Sequence, residues 1–344
     1  MEDWTPAEAK PLQYPEPEPS DRAGVACELP GRGGQSRAPL DIPADLSRWG
    51  LRVGTSGYQF PDWAGRFYPP ARPDAGPARP DAGPARPAAE KWFPFYQRYF
   101  SFLELNHTFQ EELSPRSFAE LERRSKPGML FSVKVHKDIS HKGIWDAWEG
   151  RSLMKKHAAA VGPLAEAGRF YSFLIQMDEG VERGRKVLDY LLATASEAVG
   201  EGLDVHVEFR NRTWHQESVL QSLKDAGVGI CNTDLPALLH AFPLKHYATT
   251  GKAYVRYCGL NLAGWLASGP EGGSHRSQTR MARYDYLYSP AELEARARGL
   301  LRLLEKTGAV AAVFANHAGG KAAINAVQAL NSLQRLHGRS DAGV

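Results

Sequence analysis

The segment DVHVEFRNRTWHQ, residues 204–216, alternates apolar residues with residues that could do chemistry. Because successive side chains of a β-strand point to opposite faces, His206, Glu208 and Arg210 lie on one face of this predicted strand. His206 lies one layer deeper than Glu208, and we expect it to be a hydrogen-bonded core residue. A carboxylate beside a guanidinium can transfer a proton, help to bind a ligand, or form a structural ion pair.

Polar residues also close most of the other segments that we predict to be strands. If the strands are parallel, their carboxyl ends meet at one end of the sheet, where the catalytic groups of β/α barrels lie. We expect Glu208, Glu104 and Lys134 to be catalytic at this end. The residues that we expect to bind substrate are Ser56, Tyr58, Asn106, Thr108, His136, His141, Arg210, Trp214, Asp234, Arg256, Tyr286, Asn316 and Gly320.

Three kinds of function fit this set of residues. In the first, Glu208 and Glu104 perform metal-independent acid–base chemistry, such as hydrolysis of a phosphorylated or sugar-like small molecule. In the second, a metal-dependent hydrolase or isomerase binds its ion through these glutamates together with Asp234 and either His136 or His141. We rank this second because the neighbouring lysine and arginines would repel a cation, and we predict neither a metal nor a cofactor. In the third, the protein binds an anionic metabolite or a nucleic acid without catalysis.

The segment NHAGGK, residues 316–321, follows the last predicted strand and leads directly into a helix. Free backbone N–H groups at such a glycine-rich turn can hold an anion. Lys321 is unfavourable near the positive end of a helix unless an anion is present. Together with the basic residues at the strand ends, this turn predicts a small anionic ligand.

Composition limits the remaining classes of function. The 344 residues include 42 Lys and Arg against 39 Asp and Glu, and this net charge of +3 gives only weak support for a nucleic-acid partner. The three widely spaced cysteines form neither a disulfide framework nor a CxxC zinc motif, which favours a reducing, cytoplasmic location. The apolar runs are too short to span a membrane, and the N-terminus is unlike a signal peptide.

The elements that must position these residues alternate regularly between strand and helix patterns. Eight such units predict an α/β fold, a (β/α)8 TIM-like barrel, with an open doubly wound sheet as the alternative. Helices are predicted to begin after Ser114 and Ser289, each followed by a proline. We assign the barrel to residues 46–337. Outside it we predict a disordered tail at 1–45, a disordered ARPDAGP-repeat insertion at 71–87 and a flexible C-terminus at 338–344.

Six segments, taken in order, form a specific pattern: GTSGYQFPDWAGRFYP (54–69), ELNHTF (104–109), FSVKVHKDISH (131–141), VEFRNRTW (207–214), RYDYLYS (283–289) and FANHAGGKAAINA (314–326). This pattern resembles the YecE-like family, a TIM-barrel family known as a domain of unknown function, number seventy-two in its series. The resemblance covers nearly the whole folded part, and it implies a TIM barrel without assigning an activity. The chain departs from the family pattern at Cys258, where a His is usual, and at Ala315, which replaces the first Asn of a pair.

Overall fold

The computed structural model describes residue 43 and residues 45–69, 91–111, 114–141, 143, 145–238, 240–268 and 281–341. The predicted insertion at 71–87, almost all of the predicted tail at 1–45 and the last three residues of the chain lie outside these described residues. Within the described part, no helix has both the length and the apolar character needed to cross a membrane.

Eight parallel strands form a closed barrel, as the sequence predicts. Each strand pairs with the next along the chain, and the eighth pairs with the first, so the doubly wound alternative is wrong. The strands are β1 (Leu51–Ser56), β2 (Phe102–Leu105), β3 (Leu130–Lys134), β4 (Phe170–Gln176), β5 (Val205–Glu208), β6 (Gly229–Asp234), β7 (Lys252–Tyr257) and β8 (Ala309–Phe314).

Nine α-helices are described outside the barrel strands. They are α1 (Trp92–Tyr96), α2 (Pro115–Arg123), α3 (Lys137–Ser140), α4 (Ala147–Glu166), α5 (Arg185–Gly200), α6 (Glu217–Asp225), α7 (Leu262–Ser268), α8 (Pro290–Thr307) and α9 (Lys321–Asp341).

Two of the helix starts follow the predicted capping pattern. Ser114 accepts a hydrogen bond from the Ser117 N–H at the start of α2. Ser289 and Glu292 form a reciprocal capping box at the start of α8. Such caps satisfy backbone N–H groups that have no partner inside the helix, so these boundaries can be predicted from sequence.

An aromatic and aliphatic layer fills the barrel beneath its carboxyl end. His206 lies in this layer, fully buried, with Ser172 Oγ 2.6 Å from Nδ1 and the Lys252 carbonyl 3.1 Å from Nε2. Gly229 makes room for the imidazole, because a Cβ there would lie 2.3 Å from the ring. The expectation of a hydrogen-bonded core histidine is therefore confirmed. The other members of the layer are Phe102, Tyr171, Leu174, Cys231, Tyr254, Ala311 and Val313.

Candidate functional site

Two buried carboxylates and one arginine lie inside the barrel at the carboxyl ends of the strands. Glu104 on β2 and Glu208 at the end of β5 are fully buried, and Arg256 on β7 is 3% exposed. The Arg256 guanidinium donates from Nη2 to Glu104 Oε1 at 2.8 Å and from Nη1 to Glu208 Oε2 at 2.6 Å. One guanidinium therefore joins carboxylates from two separate strands.

Two hydroxyl groups also donate to Glu104. Ser56 Oγ, at the end of β1, donates to Glu104 Oε1 at 2.5 Å, and Tyr254 Oη donates to Oε2 at 2.7 Å. The Tyr254 hydroxyl is itself hydrogen-bonded to Ser132 Oγ. Together with Arg256, three donors fix Glu104 in one orientation and satisfy both of its buried oxygens.

Glu208 is bound by a second arginine from its own strand region. Arg210 Nε donates to Glu208 Oε1, and Arg210 Nη2 lies 3.9 Å from Cys258 Sγ. Burial alone would raise the pKa of Glu208, but Arg210, Arg256 and Lys134 together hold this pKa below its usual range. Burial would lower the pKa of Arg256, but the two carboxylates raise it well above its usual range. Both Glu208 and Arg256 are therefore charged at neutral pH.

Lys134, the last residue of β3, brings a third cation to the same end of the barrel. Its side chain is 7% exposed, and Nζ lies 3.9 Å from the centroid of the Phe109 ring, a cation–π distance. We define the mouth cluster as the five charged residues that these contacts and charges connect: Glu104, Lys134, Glu208, Arg210 and Arg256. The charged side chains of this cluster are three cations and two carboxylates.

Two polar atoms beside this cluster have no hydrogen-bond partner in the described part of the chain. Thr233 on β6 pairs with Arg256 on β7, so the two side chains extend from the same face of the sheet. Thr233 Oγ1 and Arg256 Nε are both buried, and neither is hydrogen-bonded to a described residue. Leaving such a group unpaired costs roughly 1–3 kcal/mol.

The predicted residues that follow β2 lie in two different environments. Thr108 is buried, and its hydroxyl is 2.8 Å from the Leu105 carbonyl and 2.6 Å from the Lys134 carbonyl. The Thr108 hydroxyl therefore links the backbone at the end of β2 to the backbone of Lys134 at the end of β3. Asn106 is exposed and precedes the short turn that carries Phe109.

The two predicted histidines after β3 are bound to aspartates. His136 Nδ1 accepts from the Asp138 N–H at 3.4 Å, at the start of α3, and lies 3.6 Å from the Asp138 carboxylate. His141 Nε2 lies 3.7 Å from Asp178 Oδ2, beyond the end of β4, and its ring packs edge-on against Phe109. No contact joins either histidine to the glutamates of the mouth cluster within the described residues.

Trp214 and Asp234 have structural partners outside the mouth cluster. Trp214 is fully buried, stacks on Phe209 at 4.6 Å and donates from Nε1 to the Val181 carbonyl at 2.8 Å. Asp234, at the end of β6, accepts from Arg296 Nε of α8 at 2.8 Å. Burial raises the pKa of Asp234 even though Arg296 opposes this shift. The structure therefore places Asp234 between the barrel and α8.

The aromatic and amide residues predicted around the last strands are held by local hydrogen bonds and ring contacts. Tyr286 Oη donates to Glu292 Oε1 at 2.7 Å, and Asn316 Nδ2 donates to the Tyr286 carbonyl at 2.8 Å. Tyr58 packs against Phe93, with ring centroids 5.1 Å apart. These contacts order the loops at the carboxyl end of the barrel.

The glycine turn after β8 is bound by a carboxylate of the chain itself. The Gly319 N–H donates to Asp62 Oδ2 at 2.6 Å, and Lys321 is paired with Asp285. Gly320 has φ of 81°, in the left-handed region that glycine adopts readily. The predicted anion position is therefore occupied by the Asp62 side chain, which sequence reasoning did not associate with this turn.

Besides Phe109 and Trp265, whose rings lie against Lys134 and Arg210, four further residues lie at the mouth cluster and were not among the predicted site residues. Tyr254, Cys258 and Gln176 contact Glu104, Arg210 and Arg256 respectively, and Thr233 lies beside Arg256. Strand alternation gives a usable signal for Tyr254 and Cys258, because both share the parity of Arg256. Gln176 is recognisable as a polar residue at the end of β4, whereas Thr233 could be found only once the pairing of neighbouring strands was known.

The residues considered for a metal site are not assembled. Among the described residues, no group of three or more His, Cys, Asp or Glu side chains could hold a metal ion. Glu104 and Glu208 both bind Arg256, whereas Asp234 binds Arg296. The metal-dependent hypothesis therefore gains no support from the geometry, and the expected absence of a metal stays a prediction.

Comparison with known proteins identifies relatives of the same fold. The family described as "Protein of unknown function DUF72" matches residues 52–342. A DUF72 family protein of Thermotoga maritima MSB8 is 28% identical, with a TM-score of 0.67 over 83% of this chain and 98% of that chain. A DUF72 family protein of Enterococcus faecalis V583, 21% identical, has a TM-score of 0.65 over 83% of this chain and 95% of that chain.

A curated relative matches a shorter region. The UPF0759 protein YunF of Bacillus subtilis (strain 168) is 32% identical over 139 residues, which make up 37% of this chain and 45% of that protein. The match thus spans less than half of the length of this relative. The names of these three proteins state no reaction, ligand or partner.

Proposed function

This chain belongs to the DUF72 family of proteins of unknown function, and we propose that it binds a small anionic molecule at the carboxyl end of its barrel. The charge of the mouth cluster carries this proposal, because the described residues there include three cations and only two carboxylates. Three cationic side chains that meet at one end of the barrel supply the charge and the N–H donors that bind an anion.

We assign the ligand contacts to Lys134 and Arg210. Arg256 directs both of its terminal nitrogens to carboxylates, which fixes it as the centre of the cluster. Lys134 lies against the ring of Phe109, and the Arg210 guanidinium lies 5.5 Å from the centroid of the Trp265 ring. Aromatic faces beside the two cations restrict their motion and exclude water, which strengthens charge-assisted hydrogen bonds.

Glu208 and Glu104 suit a positioning role better than acid–base catalysis. A general acid or base works best when its pKa is near the working pH. Burial opposes the ionisation of Glu208, but Arg210 and Arg256 hold its pKa below the usual range. Glu104 already receives hydrogen bonds from three side chains. We infer that the two glutamates hold the arginines in place for the ligand.

A phosphorylated small molecule is the ligand class that this geometry favours. Phosphate oxygens accept several charge-assisted hydrogen bonds, and Arg and Lys are the side chains that supply them. Lys134 and Arg210 are only 7% and 2% exposed, so a compact anionic group suits them better than the backbone of a nucleic acid. We also expect a cytoplasmic location, since Cys231 and Cys258 are free thiols.

The proposal is tested by retention of ligand during purification. Compounds released from the wild type, from Lys134→Met and from Lys155→Met are identified by mass spectrometry. Lys155 is an exposed residue of α4, so its substitution removes the same charge away from the site. We expect the wild type and Lys155→Met to retain the same anionic compound and Lys134→Met to lose it.

Two outcomes would contradict this proposal. Equal retention by Lys134→Met and Lys155→Met would show that the lysine of the mouth cluster does not bind the compound. Retention of an uncharged compound would show that the cations of the mouth cluster do not select an anion. Turnover of the retained compound that Glu208→Gln abolishes in folded protein would instead assign catalysis to Glu208.

A further inference from the structure

A basic groove lies at the opposite end of the barrel, where the strands begin. It is open to solvent, has a volume of about 660 Å³, and is bounded by the carboxyl ends of α6 and α8 and by the segment that leads into β7. The residues that form its surface are Lys224, Lys306 and the continuous segment 245–251, which we call the groove segment. A volume of this size falls within the range found for small-molecule sites.

The charges on the surface of this basic groove have one sign. Lys224, Lys245 and Lys306 line it, and neither Asp nor Glu does. All three lysines are exposed, and none of them forms an ion pair with another residue in the described part of the chain. Arg302, one turn before Lys306 on α8, is exposed as well. The groove therefore presents positive charge to solvent without an internal counter-ion among its lining residues.

The nearby positive charges affect the pKa of His246, but His246 itself carries no charge. Burial is the main cause that lowers the pKa of His246 to about 4, and Arg302, Arg296 and Lys306 lower it further. The imidazole packs against α8, where a Cβ added to Gly299 would lie 2.3 Å from His246 Nε2. His246 is therefore neutral at pH 7 and anchors the groove segment to α8.

Side-chain hydrogen bonds hold the groove segment in place beside β6. Asn232 Nδ2 donates to the Tyr247 carbonyl at 2.8 Å, and the Tyr247 N–H donates to Asn232 Oδ1 at 2.7 Å. Thr249 Oγ1 accepts from the Ile230 N–H at 2.9 Å and donates to the Val228 carbonyl at 2.7 Å. A surface fixed in this way loses little conformational freedom when a ligand binds.

The helix ends explain only part of this arrangement. Lys224 and Lys306 lie in the last turns of α6 and α8, where a cation interacts favourably with the helix dipole. Lys245 lies outside any helix. It precedes His246, whose φ of 55° is in the left-handed region that residues with a side chain rarely adopt. Lys245 is therefore placed in the lining of the groove next to a residue, His246, whose backbone conformation is unfavourable.

From this groove we infer a second binding site, which takes a small molecule carrying two linked phosphate groups, such as inorganic pyrophosphate or a nucleoside diphosphate. Lysines from three separate segments line the groove, and a diphosphate offers them more charged oxygens than a single phosphate does. The groove lies at the other end of the barrel from the mouth cluster, so this site is independent of the function proposed above.

Calorimetric titration of the full chain with pyrophosphate, ADP and inorganic phosphate tests the inference. We expect pyrophosphate and ADP to bind at least about tenfold more tightly than phosphate. K245Q should weaken pyrophosphate binding about fivefold, and the triple variant K224Q/K245Q/K306Q about a hundredfold, because each lysine contributes a charge-assisted contact near solvent. The matched control K155Q/K156Q/K186Q removes three exposed lysines of α4 and α5 and should change binding by less than about twofold.

Several results would overturn the inference. Equal weakening in the groove and control triple variants would show an effect of net charge alone. If neither diphosphate binds, the groove is not a diphosphate site, and the lysines at the helix ends only interact with the helix dipoles. Loss of pyrophosphate binding in Lys134→Met, with binding retained in the groove triple variant, would place the diphosphate at the mouth cluster. An oligonucleotide that binds more tightly as its length increases would point to nucleic acid in place of a small molecule.

Discussion

Replacing Glu208 with Gln tests whether charge holds the mouth cluster together. Gln has nearly the same shape as Glu, so the substitution removes the charge with little change in packing. In the native protein, Glu208 Oε2 accepts from Arg256 at 2.6 Å and Oε1 accepts from Arg210 Nε. The variant keeps only one acceptor oxygen, and its amide N–H groups face a guanidinium N–H.

The expected loss of stability is large because solvent cannot replace the missing carboxylate. Glu208, Arg210 and Arg256 are 0%, 2% and 3% exposed. Removing one partner of a buried ion pair costs about 3–5 kcal/mol in the free energy of unfolding. For a larger domain, 1 kcal/mol shifts the melting temperature by about 2–4 °C, so we expect a decrease of roughly 10 °C.

Thermal unfolding at pH 7, followed by circular dichroism, measures this difference. Glu201→Gln is the matched control, because Glu201 is exposed at the end of α5 and the same atoms change. The control should remain within about 0.5 kcal/mol of the wild type. If Glu208→Gln unfolds within about 1 kcal/mol of the wild type, then the buried network is not stabilised in the way that its geometry indicates.

The dependence on pH provides a second check on the same variant. Burial raises the pKa of Glu208, but Arg210 and Arg256 lower it by more, so in the folded protein this pKa lies below its usual value. The stabilisation is therefore complete above the pKa of the unfolded state and is lost as the pH falls through the pKa of the folded state. The difference between the wild type and Glu208→Gln should shrink in acid, and a difference that stays constant with pH would refute this account.

Two further predictions concern His206 and metal binding. Burial lowers the pKa of His206 from 6.5 to about 4, so the unfolded state binds a proton at a higher pH than the folded state does. The free energy of unfolding of the wild type should therefore decrease by about 3 kcal/mol as the pH falls from 6.5 to 4. His206→Gln should lack this part of the pH dependence in urea unfolding, and parallel pH curves for the two proteins would contradict it. Elemental analysis should find no stoichiometric zinc or manganese, because Glu104 and Glu208 are bound by Arg256. A stoichiometric metal would restore the metal-dependent hypothesis.

The barrel could be predicted from the sequence because its signals are local. Alternation of strand and helix patterns requires parallel strands, and Ser-Pro pairs mark the starts of α2 and α8. The residues of the mouth cluster could also be predicted, since side-chain parity places Glu208 and Arg210 on one face of the fifth strand. Neither signal depends on which strands are neighbours.

Asp234 shows that side-chain alternation alone does not reveal which face of a strand points into the barrel. Both faces of a barrel strand are covered, one by the interior and the other by helices, so β6 is buried along its whole length. The sequence GICNTD therefore does not reveal which face is internal. The pairing of Thr233 with Arg256 decides it, and Asp234 consequently contacts Arg296 on α8. Such pairing is set by the three-dimensional register of the barrel.

The glycine turn after β8 shows a second limit. The sequence predicts an anion beside the Gly319 N–H, and the structure supplies one from Asp62, 257 residues away along the chain. The chemistry of the turn could thus be predicted, but the source of the anion could not. A contact between two distant loops has no periodic signal in the sequence.

We infer that the mouth cluster serves ligand binding in addition to stability. Replacing a buried ion network with apolar residues of similar volume is often neutral or stabilising, and an apolar layer that includes Phe102 and Leu174 already fills the barrel below. In the mouth cluster, Lys134, Arg210 and Arg256 outnumber Glu104 and Glu208 within the described residues. We therefore propose that an anion binds to this group of cations, and that its binding accounts for buried charges that an apolar core would not need.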